Sequence, residues 1–322
     1  MKWWVRPSGL AIRCWYALCD GKEVYIGGIL QHIEEAGIHS GDSACVLPPY
    51  QITDQAMEDI DRIVRQIALE LEVVGLINFQ FAYKNQTVYV LEVNPRASRT
   101  TPFVSKARGV PLAKIAAQLA TGKSLSEFKL PDWETYSHVA VKEVVLPFNK
   151  FPNERVFLGP EMKSTGEVMG LAHSLGNAFL RALLSSGQAL PEQGAIFISV
   201  NEHDKMSVIP IARDWIELGF KIVATEGTAR ALQRNGVPAK RIYKVGQGRP
   251  NVVDLIKNDE IQIILNTPLG KRSRFDEEAI GRAAIRYGIP IITTLSAAQA
   301  AIRAVRSKGK ISVCPLQAYY SK

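Results

Sequence analysis

Cysteine is scarce in this chain and scattered. The four residues, Cys14, Cys19, Cys45 and Cys314, lack metal-ligand spacing and have no secretory signal before them, which predicts free thiols in a reducing cytoplasm. None has a clear catalytic partner, so buried structural thiols are expected. Long hydrophobic runs are missing as well: no stretch reaches the ~18 residues that a membrane span requires. Blocks of one charge are also absent. The net charge of +8 is spread along the sequence, which favours anionic small ligands over nucleic acid. The chain reads as soluble and cytoplasmic.

What is present suffices for substantial cores. With 322 residues, 47% of them hydrophobic, two domains or more are expected. The stretch with the most chemistry is residues 75 to 99, GLINFQFAYKNQTVYVLEVNPRASR. Phe79, Phe81, Val88, Val90 and Val93 predict strands of a buried sheet, and Asn85-Gln86 predicts a tight hairpin turn. Glu92 and Asn94, two apart, project to one strand face, and Arg96 continues that line if the strand persists past Pro95. Gln80 on the paired strand brings a third oxygen. Such oxygens suit Mg²⁺ and a guanidinium suits a phosphoryl group. A structural ion pair between Glu92 and Arg96 explains the same spacing, and spacing alone leaves both readings open.

Residues 1 to 16 show neither period and are read as exposing Trp3, Trp4 and Trp15. Glu23 to Ile29 predicts a strand ending at Gly27-Gly28, and residues 38 to 43 a polar turn carrying His39. Residues 53 to 73 carry a helical stripe (Met57, Ile60, Ile63, Val64, Ile67, Leu71) capped by Thr53 or Asp54, and this helix should pack on the hairpin. A short helix follows over Leu112 to Ala120. A strand over residues 139 to 148 includes Lys142 and Glu143, charges expected to be paired or to point outward.

After a helix over Asn177 to Ser186, residues 186 to 194 have linker chemistry. Beyond them strands (195 to 200, 220 to 224, 261 to 265, 289 to 293) alternate with helices (205 to 218, 227 to 235, 275 to 287, 295 to 306). Such alternation predicts an α/β fold with a doubly wound parallel sheet. Ligands of such sheets bind beyond the strands' carboxyl ends. Three polar loops lie there: Asn201 to Lys205, Thr225 to Thr228 at a helix N-terminus, and Asn266 to Lys271. With Lys205 and Lys244 they predict a phosphate pocket, although Thr225 and Thr228 also suit plain capping.

The segments LEVNPRASRTTPFVSKARGVPLAKIAAQLATGKSL (91 to 125), AGIHSGDSA (36 to 44) and VKEVVLPFNKFP (141 to 152) closely resemble the carbamoyl phosphate synthetase large subunit. The resemblance runs from about Ala17 to the end. It implies an atypical N-terminus over 1–16, the C-terminal part of an α+β ATP-grasp domain over 17–187, and a methylglyoxal-synthase-like (MGS-like), Rossmann-type allosteric domain over 188–322. It further implies ATP-dependent phosphorylation of carbamate, for pyrimidine and arginine biosynthesis. Gln80, Glu92 and Asn94 match positions that hold Mg²⁺ or Mn²⁺ against the ATP phosphates. Arg96 matches one that assists phosphoryl transfer, with Arg99 close by, and Gly37, Ile38, His39 and Ser40 match a nucleotide-contacting loop.

In the last domain, Ser199, Lys205, Thr225, Thr228, Lys244, Asn266 and Thr267 match positions that bind nucleotide effectors such as UMP and IMP. Pro268 departs from a threonine there. Glu34, Asp42, Glu143 and Thr293 match an ornithine site, where Ile291 replaces a tyrosine. A glutaminase small subunit is implied as a partner through a part of the family chain that has no match here, and homo-oligomerisation is left open. Ile12 to Tyr16 replace an acidic strand that includes a nucleotide-contacting glutamate, read here as two gene pieces joined by deletion or frame error. The expectation is that these residues alone make no carbamoyl phosphate. A pure effector-binding module is the alternative. A methylglyoxal synthase lyase is discounted, because Gly246 to Pro250 lacks the catalytic aspartate.

Overall fold

The computed structural model describes residues 11–34, 38–132, 134–150, 158–267, 274–308 and 313–320. Among them, seven strands form an antiparallel sheet: β1 (Ala11–Asp20), β2 (Val24–His32), β3 (Cys45–Leu47), β4 (Val74–Lys84), β5 (Thr87–Asn94), β6 (Val139–Val145) and β7 (Gly166–Ala172). Their order is β5, β4, β1, β2, β3, β6, β7. One face is covered by α1 (Asp54–Glu70), the other by α2 (Thr101–Arg108) and α3 (Leu112–Ala120).

The position of β1 corrects two expectations. Residues 11 to 16 are not patternless; they begin a strand held on both sides, by β2 and β4. Trp15 is not exposed but fully buried, its ring edge-on to Phe81 at 5.5 Å. The reason is coverage of both faces. Cys14, Tyr16 and Leu18 pack toward α2 and α3, while Trp15, Ala17 and Cys19 pack toward α1, so the polar alternation that marks a half-buried strand disappears. Trp3 and Trp4 lie outside the described residues.

β2 does not stop at Gly27-Gly28 but runs through them. A Cβ at Gly28 would stand 2.7 Å from Val104 Cγ1, and one at Gly27 3.0 Å from Leu112. These glycines let α2 and α3 approach the sheet; they are not turn residues. The hairpin turn forms as expected, with Asn85 and Gln86 at φ 49° and 61°, the left-handed pair that a two-residue turn needs. Only β4 of this hairpin is buried. β5 is an edge strand with Tyr89, Val90 and Leu91 about half exposed, and it ends at Asn94, so Arg96 does not continue it.

Helix α1 starts where Thr53 accepts from the Ala56 amide (3.3 Å). It buries Ile60 and Val64 against Phe79 and Phe81, as its stripe predicts. The unforeseen α2 ends at Gly109, φ 70°, on which the Tyr320 ring rests, 2.9 Å from the position a Cβ would take. The tail thereby returns to the first sheet, where the Tyr319 hydroxyl also donates to the Leu171 carbonyl (3.2 Å).

Helix α4 (Leu175–Ser185) leads to five parallel strands: β8 (Ala195–Val200), β9 (Lys221–Thr225), β10 (Lys240–Ile242), β11 (Ile263–Thr267) and β12 (Ile291–Ile292). The order is β10, β9, β8, β11, β12. Helices α5 (Val208–Glu217), α6 (Glu226–Arg234) and α9 (Leu295–Arg306) cover one face, while α7 (Val252–Lys257) and α8 (Arg274–Tyr287) cover the other. This is the doubly wound arrangement expected. The short β10 and α7 were not foreseen. One apolar cluster runs from Val46, Val141 and Ala178 of the first unit to Ile196, Trp215 and Ala301 of the second, so the two sheets share a core.

Candidate functional site

Register sets the first constellation. Gln80 on β4 stands opposite Glu92 on β5, and Asn78 opposite Asn94. Gln80 Nε2 donates to Glu92 Oε2 (3.1 Å) and to Ser40 Oγ (3.3 Å), so residues 40 positions apart meet where the resemblance implies nucleotide and metal. Asn94 donates to Asn78 Oδ1 (3.4 Å), and Asn78 donates back to the Asn94 and Arg96 carbonyls (3.3 Å each). Among the described residues Gln80 Oε1, Glu92 Oε1 and Asn94 Oδ1 accept no hydrogen bond. They are hard oxygens of the kind that Mg²⁺ or Mn²⁺ takes alongside phosphate oxygens. No group of three His, Cys, Asp or Glu among the described residues is placed for a metal; the donor set here is one carboxylate with two carboxamides.

The loop is fixed from beneath. His39 Nδ1 accepts from the Gly41 amide (3.0 Å), opening a 3₁₀ turn over Ser40–Asp42. Asp42, fully buried, accepts from the Lys163 and Ser164 amides (2.7 and 2.8 Å). Lys142 Nζ donates to the Ser40 carbonyl (3.0 Å) and pairs with Glu167 (3.2 Å). Arg99 spans Gly41 O (2.5 Å), Ser164 Oγ (2.6 Å) and Glu167 (3.3 Å). Its guanidinium is thus committed to the scaffold. Arg96 is exposed, and among the described residues its guanidinium has one hydrogen-bond partner, the Ala97 carbonyl (3.2 Å). Ile38 lies apart from the hairpin, on a separate apolar cavity, and Gly37 lies outside the described residues.

Sequence reasoning missed Lys142, Ser164 and Glu167, and expected Lys142 and Glu143 paired or outward. Lys142 is paired but inward, with its side chain 1% exposed. Its one signal is a charge inside an apolar strand. Glu143 is buried too, and burial together with the nearby Glu34 pushes its carboxyl up to about 7. Burial likewise pushes the Cys45 thiol up to about 12, which fits a structural thiol.

The second constellation lies at the carboxyl ends of β8 and β11, where the strand order reverses. A cavity of about 280 Å³ is lined by Ser199, Asn201, Thr225, Lys244, Asn266 and Thr267, among others. Ser199 and Thr225 hydroxyls meet at 3.2 Å, and Thr225 makes no side-chain cap bond to α6. Lys205 arches over that helix start, with Nζ 3.3 Å from where a Gly227 Cβ would stand, and pairs with Glu202. Thr228 is buried and accepts from the Val200 amide (3.2 Å). The Thr267 hydroxyl is taken by Asp204 (2.7 Å); both hydroxyls therefore brace the pocket. Pro268 to Lys271 lie outside the described residues.

Of the residues matched to an ornithine site, Thr293 donates to Glu34 (2.6 Å). Thr293 and Ile291 line the apolar cavity of about 380 Å³ between β6 and α8. Asp42 turns away to the Lys163 and Ser164 amides.

The family models define the class: an ATP-binding unit joined to an MGS-like domain. Residues 24–128 match the family model described as carbamoyl-phosphate synthase L chain, ATP binding domain, and residues 207–293 that of the MGS-like domain. The chain is 56% identical over 310 residues to the carbamoyl phosphate synthase large chain of Acidobacterium capsulatum, covering 94% of this chain and 28% of that one. It is 48% identical over 328 residues to the protein named carbamoyl phosphate synthase large chain, C-terminal section, of Aquifex aeolicus, covering 95% and 61%. The biotin carboxylase domain of a single-chain bacterial carboxylase superposes with TM-score 0.44 at 15% identity, over 56% of this chain and 46% of that one. The chain is a homologue of the carbamoyl phosphate synthase large chain, and it spans less than a third of the full-length relative's length. Among the described residues no helix is long and apolar enough to cross a membrane.

Proposed function

We propose that this chain supplies the metal-holding and effector-binding portion of a cytoplasmic carbamoyl phosphate synthase, which phosphorylates carbamate with ATP for pyrimidine and arginine biosynthesis. The observation that supports this most is the pair of hydrogen bonds that Gln80 donates to Glu92 and Ser40, which would join the metal face to the nucleotide loop. Gln80, Glu92 and Asn94 would hold Mg²⁺ or Mn²⁺, which supplies neutralisation of phosphate charge when bound. Arg96, which pairs with no carboxylate among the described residues, is free to meet the transferred phosphoryl group, whereas Lys142, Arg99 and Glu167 hold the loop in place. Positioning and electrostatics provide most phosphoryl-transfer catalysis. These 322 residues by themselves are therefore proposed not to turn over, and a glutaminase subunit is proposed as partner of the longer enzyme.

The switch-point cavity is proposed to take the phosphate and ribose of UMP or IMP, through Lys205, Lys244, Thr225 and the free amides of α6. Its lining by side chains of the second sheet's own strands, loops and helices favours a second reading, in which the chain acts only as a nucleotide sensor.

Calorimetric titration separates the two. Mn²⁺ with a non-hydrolysable ATP analogue should bind the intact chain, and Glu92→Gln should weaken Mn²⁺ roughly tenfold or more, the scale of a lost charged ligand. Mn²⁺ affinity unchanged by that substitution would remove the metal assignment. UMP or IMP binding without any ATP binding would favour the sensor.

A further inference from the structure

Helix α9 belongs to the second unit, yet the chain beyond it returns to the first, and residues 313–320 carry two adjacent tyrosines there. Tyr320 lies against the C-terminal end of α2, with its ring on Gly109 and its hydroxyl donating to the Lys106 carbonyl. That carbonyl is one of those a helix leaves without an intrahelical partner. The next one, of Ala107, meets His138 Nε2 (2.7 Å). Tyr319 stands edge-on to the His138 ring, with centroids 5.2 Å apart. Its hydroxyl donates to the Leu171 carbonyl of β7 (3.2 Å) and accepts from Arg181 of α4 (2.8 Å), while its own carbonyl accepts from Ser137 Oγ (3.3 Å).

The two elements that the tail holds, α2 and β7, converge at their other ends. Arg99 and Thr100 directly precede α2, β7 carries Glu167, and both residues bond that carboxylate (3.3 and 2.9 Å). Arg99 also holds the Gly41 carbonyl of the Ser40 loop (2.5 Å). Along α2 the Tyr320 contact lies roughly 10 Å from Thr100, and along β7 Leu171 lies roughly 13 Å from Glu167. Helix and strand are stiff over such spans and pass on a displacement at one end to the other. Tail and loop brace are thus opposite ends of one closed frame.

We propose that the tail is a strap that keeps the Ser40 loop in place, and that Tyr319 and Tyr320 are positioning residues for the metal and nucleotide face, acting through β7 and α2 on Glu167 and Arg99. The same strap ties the loop to the second unit, because the tail follows α9. Its meaning for nucleotide rests on the assignment of Gln80, Glu92 and Ser40 to metal and nucleotide.

The experiment is hydrogen exchange of the intact chain, read by mass spectrometry on peptides covering residues 38–44 and 160–168, against the double variant Tyr319→Ala/Tyr320→Ala. The Gly41 amide donates to His39, and the Lys163 and Ser164 amides donate to Asp42, so a loosened loop is read directly. The expected result is exchange about threefold or more faster in those peptides, the scale of one lost hydrogen bond, with β8 and β11 unchanged. Affinity for Mn²⁺ with a non-hydrolysable ATP analogue should fall by a similar factor. Tyr319→Phe/Tyr320→Phe, which keeps both rings and loses only the hydroxyl bonds, should lie between wild type and the Ala variant, and circular dichroism checks that each variant folds. Unchanged exchange at the loop, or exchange that rises equally in β8 and β11, overturns the strap. Selective loosening without any analogue binding to the wild type supports the strap and overturns the nucleotide reading instead.

Discussion

At the scale of single residues, Glu143 carries the sharpest prediction. It is buried on β6, and the loss of solvent together with Glu34 raises its carboxyl from the ordinary 4.5 to about 7, while the Val144 amide and Lys142 oppose the shift. The folded state then holds this proton more tightly than the unfolded chain does. Its contribution to stability is full below the unfolded value and is lost as pH rises through the folded one. The urea midpoint of the wild type should therefore fall relative to that of Glu143→Gln as pH is raised from about 4.5 to about 7. A midpoint difference that stays constant over that range would show that the carboxyl titrates normally. The same residue shows what sequence leaves unread. Lys142 and Glu143 are adjacent charges in one strand, yet one joins the loop scaffold with Glu167 and the other faces Glu34.

At the scale of elements, the decisive contacts are close approaches of backbone. A Cβ on Gly170 of β7 would stand 2.0 Å from the Ala178 carbonyl oxygen and 2.5 Å from the Ala182 amide nitrogen of α4. Because backbone cannot rotate aside as a side chain can, Gly170→Ala should cost about 1–3 kcal/mol or somewhat more, read as a lowered urea midpoint. Wild-type stability in that variant would mean that α4 is not seated as described. Helices α1 and α3 and the β4–β5 turn were legible, because local periodicity and turn chemistry determine them. Strands β1, β3, β7 and β10 were not. They are short or covered on both faces, and their apolar residues carry no period.

At the scale of the whole molecule, the two sheets meet through α4 and α9. A Cβ on Gly176 would lie 2.4 Å from the Arg303 carbonyl oxygen and 2.7 Å from Ser307 Oγ. Glycine-to-alanine inside a helix ordinarily stabilises by up to ~1 kcal/mol, so propensity and contact oppose each other here. A 2.4 Å approach to a carbonyl oxygen leaves no room, and contact should win. Gly176→Ala is expected to lower the melting temperature and to separate one unfolding transition into two by calorimetry. A variant that melts as a single transition at or above the wild-type temperature would show that the helices do not meet so closely. The shared core explains the coupling: Val46 and Ala178 belong to the same apolar cluster as Ile196 and Ala301, across a segment whose composition reads as a linker.

By itself, the sequence determined the hairpin and its turn, the one-face placement of Glu92 and Asn94, and the alternation that makes the second sheet parallel. Each follows from spacings of a few residues. Only the tertiary structure decided that β1 lies inside the first sheet, that Ser40 reaches Gln80, and that Lys142, Arg99 and Glu167 brace that loop. It also brought Arg241 of β10 to the Glu226 carboxylate. These contacts join residues far apart in the chain, and they are chosen by which faces the core leaves available, which no local period records.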